Sequence, residues 1–235
     1  MTPSITASPD TRSDTDTDTA TRGMLFVACD VDAAADEADF NRWYDQEHVE
    51  ERVRIPGFLS GARFSSLEGG RKYLGLYLTE SLDVFGSAGY RAAFEKQTPW
   101  SVACLDRMRQ PIRRVCAVRA VTGFGSGSHA VVLPLPADAE VASLVAQAES
   151  IGATLAEKQP GFVQACLLVP NTALSTPLPR ESAQGRVLQP MLVIETSSAD
   201  AARSARAIAA SAFGVEASTG WLMSLGWKLT AAELR

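Results

Sequence analysis

An internal repeat is the feature that most constrains the fold of this chain. The tripeptide Pro-Gly-Phe occurs at residues 56–58 and again at 160–162, so the two prolines are 104 residues apart. The same offset aligns a helix-like segment at about 36–54 with another at 138–158. Proline ends each helix because it has no backbone N–H to donate, and glycine permits the tight reversal that follows. We therefore predict two copies of one structural unit.

Each copy continues with the same order of elements. Two strands follow the turn, then a helix and a closing strand, which gives the order βαββαβ twice. A unit of this kind covers one face of its sheet with helices and leaves the other face bare. Two such units can bury their bare faces against each other. We predict an α+β fold in which two tandem ferredoxin-like units pack sheet to sheet around a barrel-like core.

The predicted units are residues 23–122 and 129–235, joined by a Gly/Ser-rich linker at 123–128. Residues 1–22 contain alternating Asp and Thr and no apolar run, which predicts a disordered tail. The extra residues of the second copy fall in a Pro/Ser-rich segment, 171–186, which is predicted to be a surface loop.

Composition argues against several classes of function. The net charge of −5 disfavours nucleic acid as a partner, because phosphate binding needs a basic patch. No apolar run approaches the roughly 20 residues that a membrane helix needs, and the four cysteines lack metal spacing. We predict a cytoplasmic protein without metal or organic cofactor, whose partner is a small organic molecule. Monomer and homodimer are both compatible with the sequence.

The two copies differ where the first carries reactive side chains. With the offset of 104, His48 corresponds to Gly152 and Trp43 corresponds to Gln147. Duplicated halves that pack alike should keep similar core residues, so packing alone explains this contrast poorly. We predict that the first half carries a site around His48, and that the second half is a degenerate structural partner.

Helical geometry supports a pocket beside this histidine. At about 100° per residue, His48 and Glu47 fall in the same arc of the helix as Tyr44. Buried ionisable groups are costly unless they are paired, so their presence on an aromatic face suggests a partly wet pocket. If Val49 and Val53 instead form the core face, His48 lies at the edge of that face.

Further candidate residues lie on the same helix and on the strands. Asp45 precedes His48 by about one turn and could orient the imidazole as a second catalytic residue, or be a solvated helix charge. On the third strand, Gly75 leaves a gap between two tyrosines. The gap could accept an aromatic ligand, or the tyrosines could simply be core residues. An arginine on the second strand could bind an anionic group or be an edge charge, and a tryptophan after Pro99 could be a pocket wall or a packing anchor. The candidate substrate-binding residues are Trp43, Tyr44, Glu47, Arg63, Tyr77 and Trp100.

Residues 39–58, "DFNRWYDQEHVEERVRIPGF", resemble the first helix and turn of EthD-like and methylmuconolactone-isomerase-like members of the dimeric α+β barrel superfamily. Those proteins carry a helical histidine eight residues before a Pro-Gly, as His48 stands before Pro56. The resemblance implies an intrachain dimeric α+β barrel with a cleft between sheet and helices for small, often aromatic or polyketide-like molecules. Its relatives include isomerases, polyketide cyclases, cofactor-free monooxygenases and haem proteins. His48 alone matches by position.

These observations predict a small-molecule enzyme of isomerase, cyclase or lyase type. Its substrate would be aromatic, lactone-like or polyketide-like, and His48 would act as general acid or base without a cofactor. The alternative is a non-catalytic ligand-binding or accessory protein of the same fold. Haem binding through His48 and a purely structural role are further alternatives.

Overall fold

The computed structural model describes residues 21–33 and 36–234. Within these residues eight antiparallel strands form one closed barrel. The strands are β1 Gly23–Val31, β2 Phe58–Glu68, β3 Tyr73–Thr79, β4 Met108–Gly123, β5 His129–Pro134, β6 Phe162–Pro170, β7 Met191–Thr196 and β8 Trp221–Thr230. Around the barrel they are ordered β1-β3-β2-β8-β5-β7-β6-β4, and β4 closes on β1. The α+β class is confirmed.

Helices cover the outside of this barrel. In the first half of the chain, up to Gly123, they are α1 Glu37–Trp43, a π-helix Tyr44–His48, α2 Val49–Val53, a 3-10 helix Leu82–Gly86, α3 Ala88–Glu95 and α4 Pro99–Asp106. In the second half, from His129, they are α5 Val141–Lys158, α6 Ala199–Phe213, and 3-10 helices Ala217–Thr219 and Ala231–Glu233.

The strands separate an inner core from two outer cores, because successive side chains of a strand point to opposite faces. On β1, Phe26 and Ala28 belong to the barrel interior, whereas Leu25 and Cys29 face the helices of the first half. A third cluster lies under α5 and α6. Any space between helices and barrel therefore lies outside the closed sheet.

Local residue chemistry sets the boundaries of these elements. Asp36 caps α1 by accepting a hydrogen bond from the backbone N–H of Asp39 at 3.0 Å, and Thr98 caps α4, whose first turn holds Pro99. Both repeated turns use a glycine in the left-handed region, with φ of 90° at Gly57 and 83° at Gly161. A side chain at either glycine would be strained.

The predicted tail lies almost wholly outside the described residues. Of its residues, Thr21 is buried, and the carbonyl of Arg22 accepts a hydrogen bond from Val118 N–H at 2.9 Å. Among the described helices none is both long enough and apolar enough to span a membrane. The cytoplasmic location stays a prediction.

Candidate functional site

A π-helix determines where His48 points. The helix between β1 and β2 is π-helical at Tyr44–His48, and a π turn adds one residue relative to a regular helix. The following side chains are therefore rotated by about 100°. As a result Phe40 and Trp43 before the turn, and His48 and Val49 after it, are all buried. The sequence prediction assumed a regular helix and so separated these residues into two faces.

The imidazole of His48 is enclosed by aromatic rings and by positive charge. Its ring centroid lies 4.3 Å from that of Trp43 and 5.0 Å from that of Tyr44, and its Nδ1 has no hydrogen-bond partner. Burial, followed by the charges of Arg52 and Arg63, holds the pKa of His48 well below its ordinary value. The ring is therefore neutral at pH 7 and can accept a proton.

His48 lines a cavity of about 440 Å³ between the barrel and the helices of the first half. This volume is typical of small-molecule sites. The walls come from β1, β3 and β4, from α2, α3 and α4, and from residues 178–180. Its apolar and aromatic lining includes Leu25, Val27, Tyr77, Phe94, Leu105 and Met108.

Three residues of the lining keep a buried nitrogen without a hydrogen-bond partner. The atoms are Nδ1 of His48 and the Nε atoms of Arg52 and Arg113. Burial raises the pKa of Tyr77 far above its ordinary value, so its phenol keeps its proton. Most buried polar groups in proteins are paired, and an apolar cavity with a few polar side chains in its lining is the usual form of a small-molecule site.

Residues 171–186, which we call the strap, reach from the second half of the chain over this cavity. Nη1 of Arg113 donates to the carbonyls of Leu174 and Thr176, each at 2.9 Å. The buried carboxylate of Glu181 pairs with Arg114 and accepts a hydrogen bond from Arg186 Nε at 2.7 Å. The sequence predicted only a surface loop here, because nothing local indicates which half of the molecule a loop will cover.

Three of the predicted aromatic residues lie at or behind the cavity. Tyr77 lines it, while Trp43 and Tyr44 pack against the imidazole of His48. The space beside Gly75 is filled by the protein itself. A Cβ at Gly75 would lie 3.3 Å from the hydroxyl of Tyr77 and 3.4 Å from that of Tyr44.

Asp45 and Arg63 are placed together, away from the cavity lining. Oδ1 of Asp45 accepts hydrogen bonds from Arg63 Nη1 and Trp227 Nε1, both at 2.8 Å, and no hydrogen bond joins it to His48. The guanidinium of Arg63 lies over the rings of Tyr44 and Tyr73, at 4.5 and 4.8 Å. The structure therefore gives Asp45 a partner other than the imidazole it was expected to orient.

Glu47 and Trp100 connect helices and do not line the cavity. Oε1 of Glu47 accepts hydrogen bonds from the hydroxyls of Thr98 at 2.6 Å and Ser101 at 2.9 Å. Nε1 of Trp100 lies 3.4 Å from a carboxylate oxygen of Asp39. These contacts fix α4, which forms one wall.

Sequence reasoning missed Arg52, Arg113 and the strap as parts of the site. Arg52 looked like one surface charge among the acidic residues of its helix. Arg113 carried a usable signal, because the mainly apolar strand segment 112–121 contains three arginines, and an arginine is rarely fully buried unless it is paired.

The corresponding space in the second half is filled. A Cβ at Gly152 would lie 2.7 Å from Cβ of Thr122, so α5 packs directly on β4. The buried face of α6 consists of small residues that allow close approach to the sheet, namely Ala201, Ala202, Ala205, Ala209 and Ala210.

No protein-family model matches the chain, and no curated protein matches it. Among solved structures it is similar to an anthrone oxidase-like protein at 12% identity, with a TM-score of 0.59 over 91% of this chain and 94% of that one. A putative monooxygenase from Lactobacillus acidophilus NCFM matches at 7% identity and TM-score 0.56, over 90% and 97%. A mutant chlorite dismutase from Candidatus Nitrospira defluvii in complex with cyanide matches at 10% identity with a TM-score of 0.50, over 90% of this chain and 92% of that one.

These similarities show the fold alone, a dimeric α+β barrel. They also contradict the predicted isomerase, cyclase or lyase reaction, because the neighbours are named as an oxidase-like protein, a monooxygenase and a chlorite dismutase. The prediction was wrong because a helical histidine before Pro-Gly reports on the fold and carries little information about the reaction.

Proposed function

We propose that this chain oxidises an aromatic substrate with O2 directly, and that the cavity beside His48 is its active site. The observation that carries the proposal is a neutral imidazole in the lining of a largely apolar cavity. The names of an anthrone oxidase-like protein and a monooxygenase among the fold neighbours support the reaction class. An anthrone-type ketone, with an acidic methylene between aromatic rings, is the substrate class that fits.

His48 would begin the reaction as a general base. It accepts a proton from the methylene carbon, which leaves an electron-rich carbanion, and a positioned histidine contributes about 10²–10⁴-fold to such a step. The carbanion gives electrons to O2 and forms a bond to one oxygen atom. In the overall change a CH2 group and O2 become a C=O group and water, so the carbon loses four electrons and O2 gains four.

The rest of the cavity would support that step. Arg52 lines the same cavity as His48, and its positive charge would stabilise the negative charge that deprotonation creates. The neutral phenol of Tyr77 is a hydrogen-bond donor for the substrate oxygen. Apolar walls keep water away from the carbanion, which would otherwise be protonated again.

Haem, which the superfamily resemblance includes, does not fit these residues well. A metal-bound histidine almost always donates its other ring N–H to an acceptor that fixes the ring. Nδ1 of His48 has no such partner, and Trp43 and Tyr44 pack against the ring. No step of the proposed reaction passes through haem.

The test is oxidation of anthrone and 1,8-dihydroxyanthrone, followed by O2 uptake and quinone formation. We expect one O2 consumed per quinone, and a fall in kcat/KM of about 10²–10⁴-fold in His48→Gln. The matched control is His129→Gln, since His129 lies on β5 and its Nδ1 contacts the hydroxyl of Ser128. Full activity in His48→Gln, no O2 uptake by the wild type, or a haem absorption band that activity requires would each contradict the proposal.

We further propose that the two halves are copies of one ferredoxin-like unit, residues 23–122 and 129–235, joined by 123–128. The strand orders support this, because β4-β1-β3-β2 in the first half corresponds to β8-β5-β7-β6 in the second. On this proposal the site belongs to the first copy, and the second contributes structure and the strap.

A further inference from the structure

Two buried arginines bring positive charge to the lining of the cavity. Arg52 and Arg113 both line it and are only 4% and 5% exposed. Within the described residues neither has an ion pair. Asp106, the acidic residue of the lining, is already paired with Arg180. Buried charges without counter-ions are costly, so they are normally neutralised by a partner.

The guanidinium groups of these arginines have hydrogen-bond donors that the protein does not use. Arg52 makes one long hydrogen bond, from Nη2 to the carbonyl of Ala93 at 3.3 Å. In Arg113, Nη1 holds the strap and Nη2 donates to the hydroxyl of Tyr90 at 3.0 Å. Each retains an Nε–H without a partner. Both guanidinium carbons lie near the ring of Phe94, at 5.3 and 5.9 Å from its centroid.

We propose that the substrate is an aromatic carboxylic acid, whose carboxylate binds the Arg52 and Arg113 guanidiniums beside the ring of Phe94. This inference rests on the proposed function, because it names the substrate class of the same site. A carboxylate accepts charge-assisted hydrogen bonds from arginine and supplies the missing counter-ion. The aromatic part of the same molecule would fill the apolar space that leads to His48.

Arg52 is the informative residue for a test. Arg113 also anchors the strap, so its removal would disturb the cavity for structural reasons. Arg52 has a single weak hydrogen bond to the protein, so a structural role explains its burial poorly. Arg54 is a matched control on the same helix, since it is exposed and pairs with Glu50.

The experiment compares the affinities of anthraquinone-2-carboxylate and anthraquinone-2-carboxamide by calorimetry. We expect the wild type to bind the carboxylate at least about 10-fold more tightly, as one charge-assisted hydrogen bond predicts. Arg52→Gln should lose most of this preference and bind the carboxamide nearly as before. Arg54→Gln should behave as the wild type.

Equal affinity of the wild type for the two ligands would overturn the inference, and so would an unchanged preference in Arg52→Gln. If Arg52→Gln does not fold, the wild-type comparison decides the question alone. Neither ligand has a methylene to oxidise, so this result is independent of the oxidation test. Carboxylate preference without O2 uptake would refute only the proposed reaction, and oxidation of neutral anthrones without carboxylate preference would refute only the inference.

Discussion

At the scale of single residues, the surroundings of His48 decide its chemistry. A histidine on a solvated helix titrates near neutral pH, whereas burial against Trp43 and beside two arginines disfavours the charged imidazolium. The same burial leaves Nδ1 without a partner. The imidazole is thereby neutral at physiological pH, as the proposed reaction requires of its base.

This lowered pKa predicts the acid limb of the activity profile. Since the base must be neutral, kcat/KM for anthrone oxidation should stay constant as pH falls from 8 through 6.5, the ordinary value for histidine, and decline only at lower pH. A pH profile with the half-maximal point at or above 6.5 would contradict the assignment of His48 as a strongly buried base.

The same shift predicts how stability depends on pH. Below about 6.5 the unfolded chain binds a proton at His48 that the folded chain does not, so the free energy of unfolding falls as pH drops. Above that pH neither state binds this proton, so the free energy of unfolding no longer depends on the titration of His48. Urea denaturation at pH 5 and 7.5 should show a larger loss for the wild type than for His48→Gln, and equal losses would contradict the prediction.

At the scale of elements, a buried carboxylate contributes to holding the strap on β4. Burial raises the pKa of Glu181, but hydrogen bonds from Arg114 and Arg186 outweigh that effect and hold the pKa below its ordinary value. Glu181 also accepts a hydrogen bond from the backbone N–H of Arg113, at 3.2 Å. Glu181 therefore ties the strap to β4 next to the arginine that lines the cavity.

Glu181→Ala should lower the free energy of unfolding by about 3–5 kcal/mol, because it leaves buried arginines without a counter-ion. Glu50→Ala is the matched control, since its ion pair with Arg54 is about half exposed and should be worth about 1 kcal/mol or less. Urea denaturation measures both, and hydrogen exchange should show faster exchange in residues 171–186 of Glu181→Ala. Similar losses in the two variants would contradict this role.

At the scale of the whole molecule, one closed barrel carries two unlike outer layers. The first half leaves room between its helices and the sheet, whereas in the second half Gly152 and the alanines of α6 bring the helices into direct contact with it. Small residues at these positions let the helices pack directly on the sheet. In the first half, bulkier and polar residues keep the helices farther from the sheet.

Gly152→Ala should therefore destabilise the protein by about 1–3 kcal/mol through overpacking against Thr122, and leave ligand affinity at the distant cavity unchanged. Gly86→Ala is the control, because a Cβ there would meet nothing within 4 Å, and its effect should stay within about 0.5 kcal/mol. Thermal or urea unfolding with a parallel binding measurement tests both. Loss of ligand affinity in Gly152→Ala would show that packing in the second half affects the cavity of the first half, and would contradict the prediction.

The order of helices and strands followed from sequence, because hydrophobic period and the Pro-Gly turns act between residues close together in the chain. For the same reason His48 and Tyr77 could be picked out as candidates. Closure of the barrel brought these two residues together with Arg52, Arg113 and the strap. The extra residue of the π turn also changed which side chains of its helix face the barrel. Those contacts link residues far apart in sequence and depend on where whole elements pack, so no local pattern encodes them.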